Sequence, residues 1–153
     1  MKKLENKIPP PALVLFIALA MWGAAKLQTP IYLESVLRIG LLAALILNAL
    51  VFGLGGIIAF RLAKTTINPV QITQASRVVT GGVYRITRNP MYAGLTALLT
   101  TWAVWLAVPW TLLGPVVFAV FTHRFQILPE ERVMSAKFGK EYDDYRKRVR
   151  RWL

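Results

Sequence analysis

This sequence has no cysteine, which excludes a disulfide framework, a thiolate metal site and a cysteine nucleophile. Histidine is nearly as scarce, His123 being the single one. Acids number 7 against 19 Lys and Arg. The 32 residues from Met91 to Thr122 hold no ionisable side chain except Tyr92. A run that long without charge excludes an ordinary solvated segment and turns attention to the bilayer. No metal site is expected.

What is present is apolar bulk, 56% of the 153 residues, gathered into runs. The first reaches from Ile8 to Ala25 and is ended by Lys26. The second, Ile39 to Phe60, has Asn48 as its one strongly polar member. The third, Met91 to Thr122, would extend about 48 Å as one helix, beyond a hydrocarbon core of about 30 Å. It must fold back. Val108-Pro109-Trp110 is the expected turn, because the residue before a proline is pushed out of helical geometry. Trp102, Trp105 and Trp110 gather around it as an interfacial aromatic belt. The pattern predicts an all-α, multi-pass membrane helical bundle in a single domain over 1–153. Its four transmembrane helices fall at about 8–25, 38–60, 90–108 and 110–128. Lys2, Lys3 and Lys7 before the first run also fit a signal peptide, but Glu5 and Pro9 to Pro11 do not, and a retained first span is expected.

Charge placement orients the chain. Three basic residues precede the first span, two (Lys26 and Arg38) follow it, five lie between Arg61 and Arg88, none is in the Pro109 turn and nine lie from Arg124 onward. The positive-inside rule then predicts a cell-membrane protein with both termini cytoplasmic. The net charge of +12 reads as orientation and headgroup attraction. Nucleic acid is not an expected partner, since the basic residues are divided among membrane-tied segments. Arg38 is expected to snorkel to the headgroups. Gly53, Gly55 and Gly56 permit close helix packing in the second span, within the chain or in a homodimer.

Two polar clusters flank the long apolar block. In the first, Gly81 to Gly94, Asn89-Pro90 predicts a helix start with Asn89 as its cap. The free backbone donors there, with Arg85 and Arg88 beside them, suit an anionic group; the alternative is an Arg- and Tyr-anchored membrane helix end. Before it, Thr65-Thr66-Ile67-Asn68-Pro69 is turn chemistry, and Val78 to Thr80 reads as a short extended piece. The second cluster is Glu130-Glu131, expected in the first turn of a helix begun after Pro129, where the dipole favours carboxylates. Met134, Phe138, Tyr142, Tyr145, Val149 and Trp152 then form one apolar stripe among basic residues. This is a C-terminal amphipathic cytoplasmic helix, on the membrane or folded back over the bundle, and Gly139 interrupts it.

Taken in order, Gly81-x-Val83-Tyr84-Arg85-x-x-Arg88-Asn89-Pro90-x-Tyr92-x-Gly94, Glu130-Glu131 and Phe138-Gly139-x-x-Tyr142-x-x-Tyr145-x-x-x-Val149-x-Arg151-Trp152 resemble the isoprenylcysteine carboxyl methyltransferase family and its relatives, the phospholipid N-methyltransferases. The resemblance covers about residues 64 to 153. It implies an integral membrane enzyme that uses S-adenosyl-L-methionine without a Rossmann domain, in keeping with the missing glycine-rich fingerprint. Carried over by the resemblance, the cofactor region is 64–92 and 129–153, with Ser76, Arg77, Val78, Val79, Tyr84, Asn89, Pro90, Met91, Tyr92, Glu130 and Glu131 as binding residues. Glu130, Arg88 and His123 are the candidate catalytic residues, and Arg124 and Gln126 the candidate substrate contacts. Two positions depart from the prenylcysteine branch: Asn89 replaces a histidine, and Gln126 replaces an arginine implicated in holding the substrate carboxylate.

The residue types suit methyl transfer. The helix start and Arg88 can receive the carboxylate of the cofactor, and a glutamate and aromatic faces its cationic groups. An anionic acceptor needs no base, whereas an ammonium acceptor must lose a proton, which His123 could take; a histidine at a helix end can also be merely hydrogen-bonded. The expected activity is methylation of a lipophilic or small membrane-accessible acceptor at the cytoplasmic interface, with a lipid amine, a thiol, a carboxylate and an apolar metabolite all open. The alternative is a non-catalytic membrane module that binds lipid or a partner through its basic tail.

Overall fold

The computed structural model describes residues 5, 7–63 and 76–153. The Thr65-to-Pro69 turn anticipated above lies outside them. Regular structure among the described residues is helical, apart from one isolated parallel bridge between Thr87 and Arg150. The helices are α1 (Pro10–Ala25), α2 (Ser35–Leu62), α3 (Pro90–Leu106), α4 (Leu113–Thr122), α5 (Leu128–Phe138) and α6 (Lys140–Arg148). Short 3₁₀ turns occupy Gly82–Arg85 and Pro109–Leu112, and a single π turn, His123–Ile127, joins α4 to α5.

Helix starts follow local chemistry. Pro sits in the opening turn of α1, α3 and α5, where a missing backbone donor is tolerated. Glu34 opens α2 by accepting from the backbone of Val36 (3.1 Å) and Leu37 (2.9 Å). Two stretches, Ser35–Leu62 and Pro109–Phe138, are long and apolar enough to cross a bilayer. Helix α1, with 16 residues, and α3, with 17, reach only about 24–26 Å at ~1.5 Å per residue.

Helix α3 is the centre of the packing, with α2 on one side and α1 and α4 on the other. Where lipid is as apolar as the helix, attraction depends on close approach of small residues. A Cβ added at Gly94 would lie 2.6 Å from the backbone N of Gly53 and 3.0 Å from the carbonyl of Ala49. One at Gly56 would meet Met91, and one at Gly55 would meet Val83. The glycines of the second span thus serve packing within the chain. On the other side Gly114 lies against Met21, and Trp102 donates to the Ala18 carbonyl at 3.1 Å. Leu13, Ile17 and Met21 of α1 join Leu99 and Ala103 of α3 and Phe118 of α4 in one buried cluster.

The expected turn after α3 is present. Ala107 is left-handed (φ 54°) and Val108 extended, with Thr111 Oγ1 donating to the Val108 carbonyl at 2.6 Å. The loop between α1 and α2 is tied to it by Ile31 N donating to the Ala107 carbonyl at 2.7 Å. Arg38 does more than the expected snorkelling. Its Nη2 donates to the Trp105 carbonyl at 2.5 Å and its guanidinium lies over the Trp105 ring, at the helix end whose dipole attracts a cation.

The C-terminal third also differs from expectation. Instead of a helix begun after Pro129, α4, the π turn and α5 run on to Phe138, so Glu130 and Glu131 do not stand at an open helix terminus. The dipole argument for them therefore lapses, because Ile127 and the residues before it are already helical. Gly139 (φ 50°) breaks the chain as expected. Of the two positions open to the apolar stripe, α6 takes the folded-back one: Tyr142 and Tyr145 pack with Val78, flanked by Met134, Phe138 and Val149.

Candidate active site

The site is assembled where the turn before α3 meets α5 and the chain's last residues. Gly82 takes φ 59°, a conformation that suits glycine, and launches the 3₁₀ turn. That turn buries Tyr84 edge-on against Phe60, with ring centroids 5.4 Å apart. The Tyr84 carbonyl accepts the Tyr145 hydroxyl at 2.8 Å, which docks α6.

Pro90 begins α3 as predicted, but Asn89 does not cap it with its side chain. Asn89 Nδ2 instead donates to the Arg151 carbonyl at 2.9 Å. The fully buried Thr87 does the same through Oγ1 at 3.0 Å and accepts Asn89 N at 3.2 Å. Arg88 N donates to the Arg150 carbonyl at 2.9 Å. A short side chain pulled toward a distant carbonyl cannot also reach the N2 or N3 amide, which is why the expected cap is missing.

Two adjacent glutamates face different partners, since successive helical residues diverge by about 100°. Arg151 forks both oxygens of Glu131, Nε to Oε1 at 2.9 Å and Nη2 to Oε2 at 2.8 Å. Arg88 Nη2 reaches the same Oε1 at 3.1 Å, with both side chains of that pair only 8% exposed. Arg88 Nε and Nη1 are buried without a well-formed hydrogen bond, although the Tyr142 hydroxyl lies within hydrogen-bonding reach of the guanidinium, which opposes the upward push of burial on it. Glu130 has no cation bonded to it among the described residues; its Oε1 accepts the Tyr92 hydroxyl at 2.5 Å. Tyr92 also lies 3.4 Å from Gln126 Oε1. Gln126, fully buried, donates through Nε2 to the Ile8 carbonyl at 2.6 Å, and Glu5 pairs with Arg132 at 2.6 Å. The N-terminal segment is thereby drawn over the same end. The π turn makes this possible, for it buries Gln126 and Ile127 in succession and such single turns recur at functional sites.

Burial dominates the acidities of the tyrosines around the site. It pushes the Tyr142 hydroxyl up to about 12, with Glu131 adding to the shift and Arg88 opposing it. Tyr84 and Tyr145 move upward for the same first reason. The Arg151 guanidinium is raised by its bonds to Glu131.

Of the residues chosen from sequence, Tyr84, Arg88, Asn89, Tyr92, Gln126, Glu130 and Glu131 converge on this end of the bundle. Pro90 and Met91 pack beneath them against Gly56. Val78 and Val79 are buried and, with Thr80 to Val83, line a groove of about 510 Å³ against Gly55, Ile58, Ala59 and Leu62. Ser76, Arg77 and Arg85 are exposed. No strand forms over Val78 to Thr80. His123 and Arg124 are half-buried in the π turn; neither bonds to the Tyr92–Glu130 pair, and Arg124 lies over the Phe125 ring. No group of three His, Cys, Asp or Glu able to hold a metal occurs among the described residues. Sequence reasoning missed Thr87, Arg151 and the Ile8 carbonyl as members of the site. Arg151 stood in a quoted motif, yet in a basic tail it read as one more solvated charge.

Comparison with known proteins bears on what this end does. A model of the family described as phospholipid methyltransferase matches residues 37–141, a stretch that contains Arg88, Tyr92, Gln126, Glu130 and Glu131 and stops short of Arg151. An uncharacterized protein of Haemophilus influenzae is 41% identical over 63 residues, 41% of this chain and 100% of the relative. No solved structure matches.

Proposed function

The chain belongs to the phospholipid methyltransferase family, a family of integral membrane methyltransferases, and on that premise we propose that it transfers a methyl group from S-adenosylmethionine to a lipid-like acceptor at the cytoplasmic face. One observation carries the assignment of the donor site. A buried cation bound to Glu131 through one nitrogen only, Arg88, lies at the same end of the bundle as a carboxylate with no bonded cation, Glu130, the residue next to Glu131. Such a pair is matched to a zwitterion, and the amino-acid end of S-adenosylmethionine is one: its carboxylate would be held by Arg88 and its ammonium by Glu130.

When bound, the cofactor supplies an electrophilic methyl group on a sulfonium. The protein's part is positional. Tyr92 fixes the Glu130 carboxyl by its hydroxyl, and Tyr84 and Tyr142 wall the site with aromatic surface. The helices exclude water, so charge interactions there are stronger than in solution. Val78, Val79 and the adjoining groove give an acyl-bearing acceptor an apolar approach. An anionic acceptor would need no base; for an ammonium, the base would be His123, the single histidine of the sequence, three residues before Gln126. Four membrane passes with both termini cytoplasmic would put this end at the inner headgroup layer, a topology supported by the distribution of basic residues.

Calorimetric titration of S-adenosylhomocysteine into the purified protein, wild type beside Glu130→Ala, tests the reading. Saturable binding to the wild type and at least about tenfold weaker binding to the variant is the expected result, the size of one lost charge-assisted bond. No binding to the wild type, in detergent and in lipid nanodiscs, overturns it and favours the non-catalytic module.

A further inference from the structure

Arg151 has no assigned role, yet its position decides how Arg88 is used. Glu131 offers two oxygens. Arg151 forks both, leaving Arg88 attached by Nη2 alone. Arg88 Nε and Nη1 therefore make no well-formed hydrogen bond on a side chain 8% exposed, the Tyr142 hydroxyl being the one neighbour shown to interact with the guanidinium besides Glu131. An Arg beside a carboxylate with both oxygens free frequently closes the bidentate fork. The arrangement is also asymmetric in charge, with two guanidiniums on one carboxylate.

Nothing about this is left to a loose tail. Thr87 and Asn89 both grip the Arg151 carbonyl, and the amide between them, Arg88 N, grips the Arg150 carbonyl. The three residues that carry Arg88 are thus stapled to the residues that carry Arg151. Trp152, next along, packs against the main core. The register between the two guanidiniums is fixed by backbone on both sides.

We propose that Arg151 is a positioning residue of the methyl-donor site: by occupying both oxygens of Glu131 it holds Arg88 in a half-used state, with two donors reserved for the anionic end of the ligand. The inference rests on the donor-site reading given above. Without Arg151, Arg88 turns onto Glu131 with a full fork and its reserved donors are consumed.

The test compares two ligands that share the adenosine thioether and differ in the amino-acid end, S-adenosylhomocysteine and 5′-methylthioadenosine. Their dissociation constants are measured by calorimetry on the full chain for wild type, Arg151→Ala, Arg151→Lys, Arg88→Ala and the Arg88→Ala/Arg151→Ala pair, with thermal unfolding of each. Wild type is expected to prefer S-adenosylhomocysteine by about tenfold or more. Arg151→Ala should lose most of that preference while its affinity for 5′-methylthioadenosine stays within about threefold, since it acts only through the carboxylate contact. Arg151→Lys, a point donor that cannot fork both oxygens, should fall between. The double variant should match Arg88→Ala, because Arg151 acts through Arg88. An unchanged preference in Arg151→Ala, or equal weakening of both ligands, overturns the proposal and leaves Arg151 merely structural. If wild type binds neither ligand, the donor-site reading itself has failed; if it binds both equally, Arg88 does not receive the carboxylate and the proposal fails while an adenosine site remains.

Discussion

The two ends of the same helices are built on opposite plans. At the end holding the Pro109 turn, ties are neutral donors or a single cation meeting backbone carbonyls: Ile31 to Ala107, Thr111 to Val108, Arg38 to Trp105. At the other end, charged side chains meet one another with little exposure, and the accounts do not close, since Arg88 keeps donors without a well-formed hydrogen bond and Glu130 has only a hydroxyl. Both ends hold helices together. Each leaves buried guanidinium nitrogen without a well-formed hydrogen bond, one atom on Arg38 and two on Arg88, but only the second end sets those donors against a buried carboxylate, Glu131, with Glu130 free of any bonded cation among the described residues.

The contrast can be broken first at Glu131. Glu131→Ala strands two guanidiniums, and the loss of one partner from a buried ionic cluster is expected to destabilise by roughly 3–5 kcal/mol. Thermal unfolding in detergent should show it as a large fall in midpoint; a midpoint unchanged within a degree or two would mean that charge does not hold this end.

About one turn into α3 from the site end, Gly94→Ala forces its methyl toward the Gly53 backbone at 2.6 Å, an overpacking worth about 1–3 kcal/mol. Gly53→Ala is its control. Nothing lies within 4 Å of that added Cβ, so the variant should match wild type or gain up to about 1 kcal/mol from helix propensity. Equal losses in both would mean that α2 and α3 do not approach as described.

Arg38→Ala sharpens the comparison from the other side. It removes a cation from the α3 C-terminus, worth about 0.3–1 kcal/mol, and should leave binding of S-adenosylhomocysteine unchanged. A tenfold loss of binding would show the two ends to be coupled.

The smallest effect is silent near neutrality. Tyr142 titrates near 10 when unfolded and about 12 when folded, so its neutral form favours the folded state. Its contribution is intact below pH 10 and is lost as pH rises from about 10 to about 12. Tyr142→Phe should flatten that alkaline limb in a stability–pH profile. An identical limb in the variant would assign it to other groups, Tyr84 and Tyr145 foremost.

How much of this was legible beforehand depended on the range of each interaction. The start of α3 at Pro90, the turn at Val108-Pro109 and the break at Gly139 were readable, because proline and glycine act on their own backbone. Asn89 was readable as a boundary and misread in role, since the carbonyl it bonds belongs to a residue 62 positions away. Continuity of α4 into α5 was hidden because a π turn has no compositional mark and Pro129 looks like a start. Gln126 was noticed for the charge it lacks, while its bond to Ile8 involves a backbone atom that sequence never distinguishes.

The sequence by itself determined that this chain is apolar, helical, basic at one end of its helices and equipped with two polar clusters on either side of a long uncharged run. Those follow from composition and spacing, which act locally and through the solvent each residue prefers. Only the tertiary structure decided that the last residues staple the Asn89-Pro90 turn to Glu131, that Arg151 rather than Arg88 takes the full fork, and that Glu130 is left to Tyr92. One carboxylate among several arginines can be shared in many ways, and the choice is made by which backbone carbonyls come within reach once the chain has closed on itself.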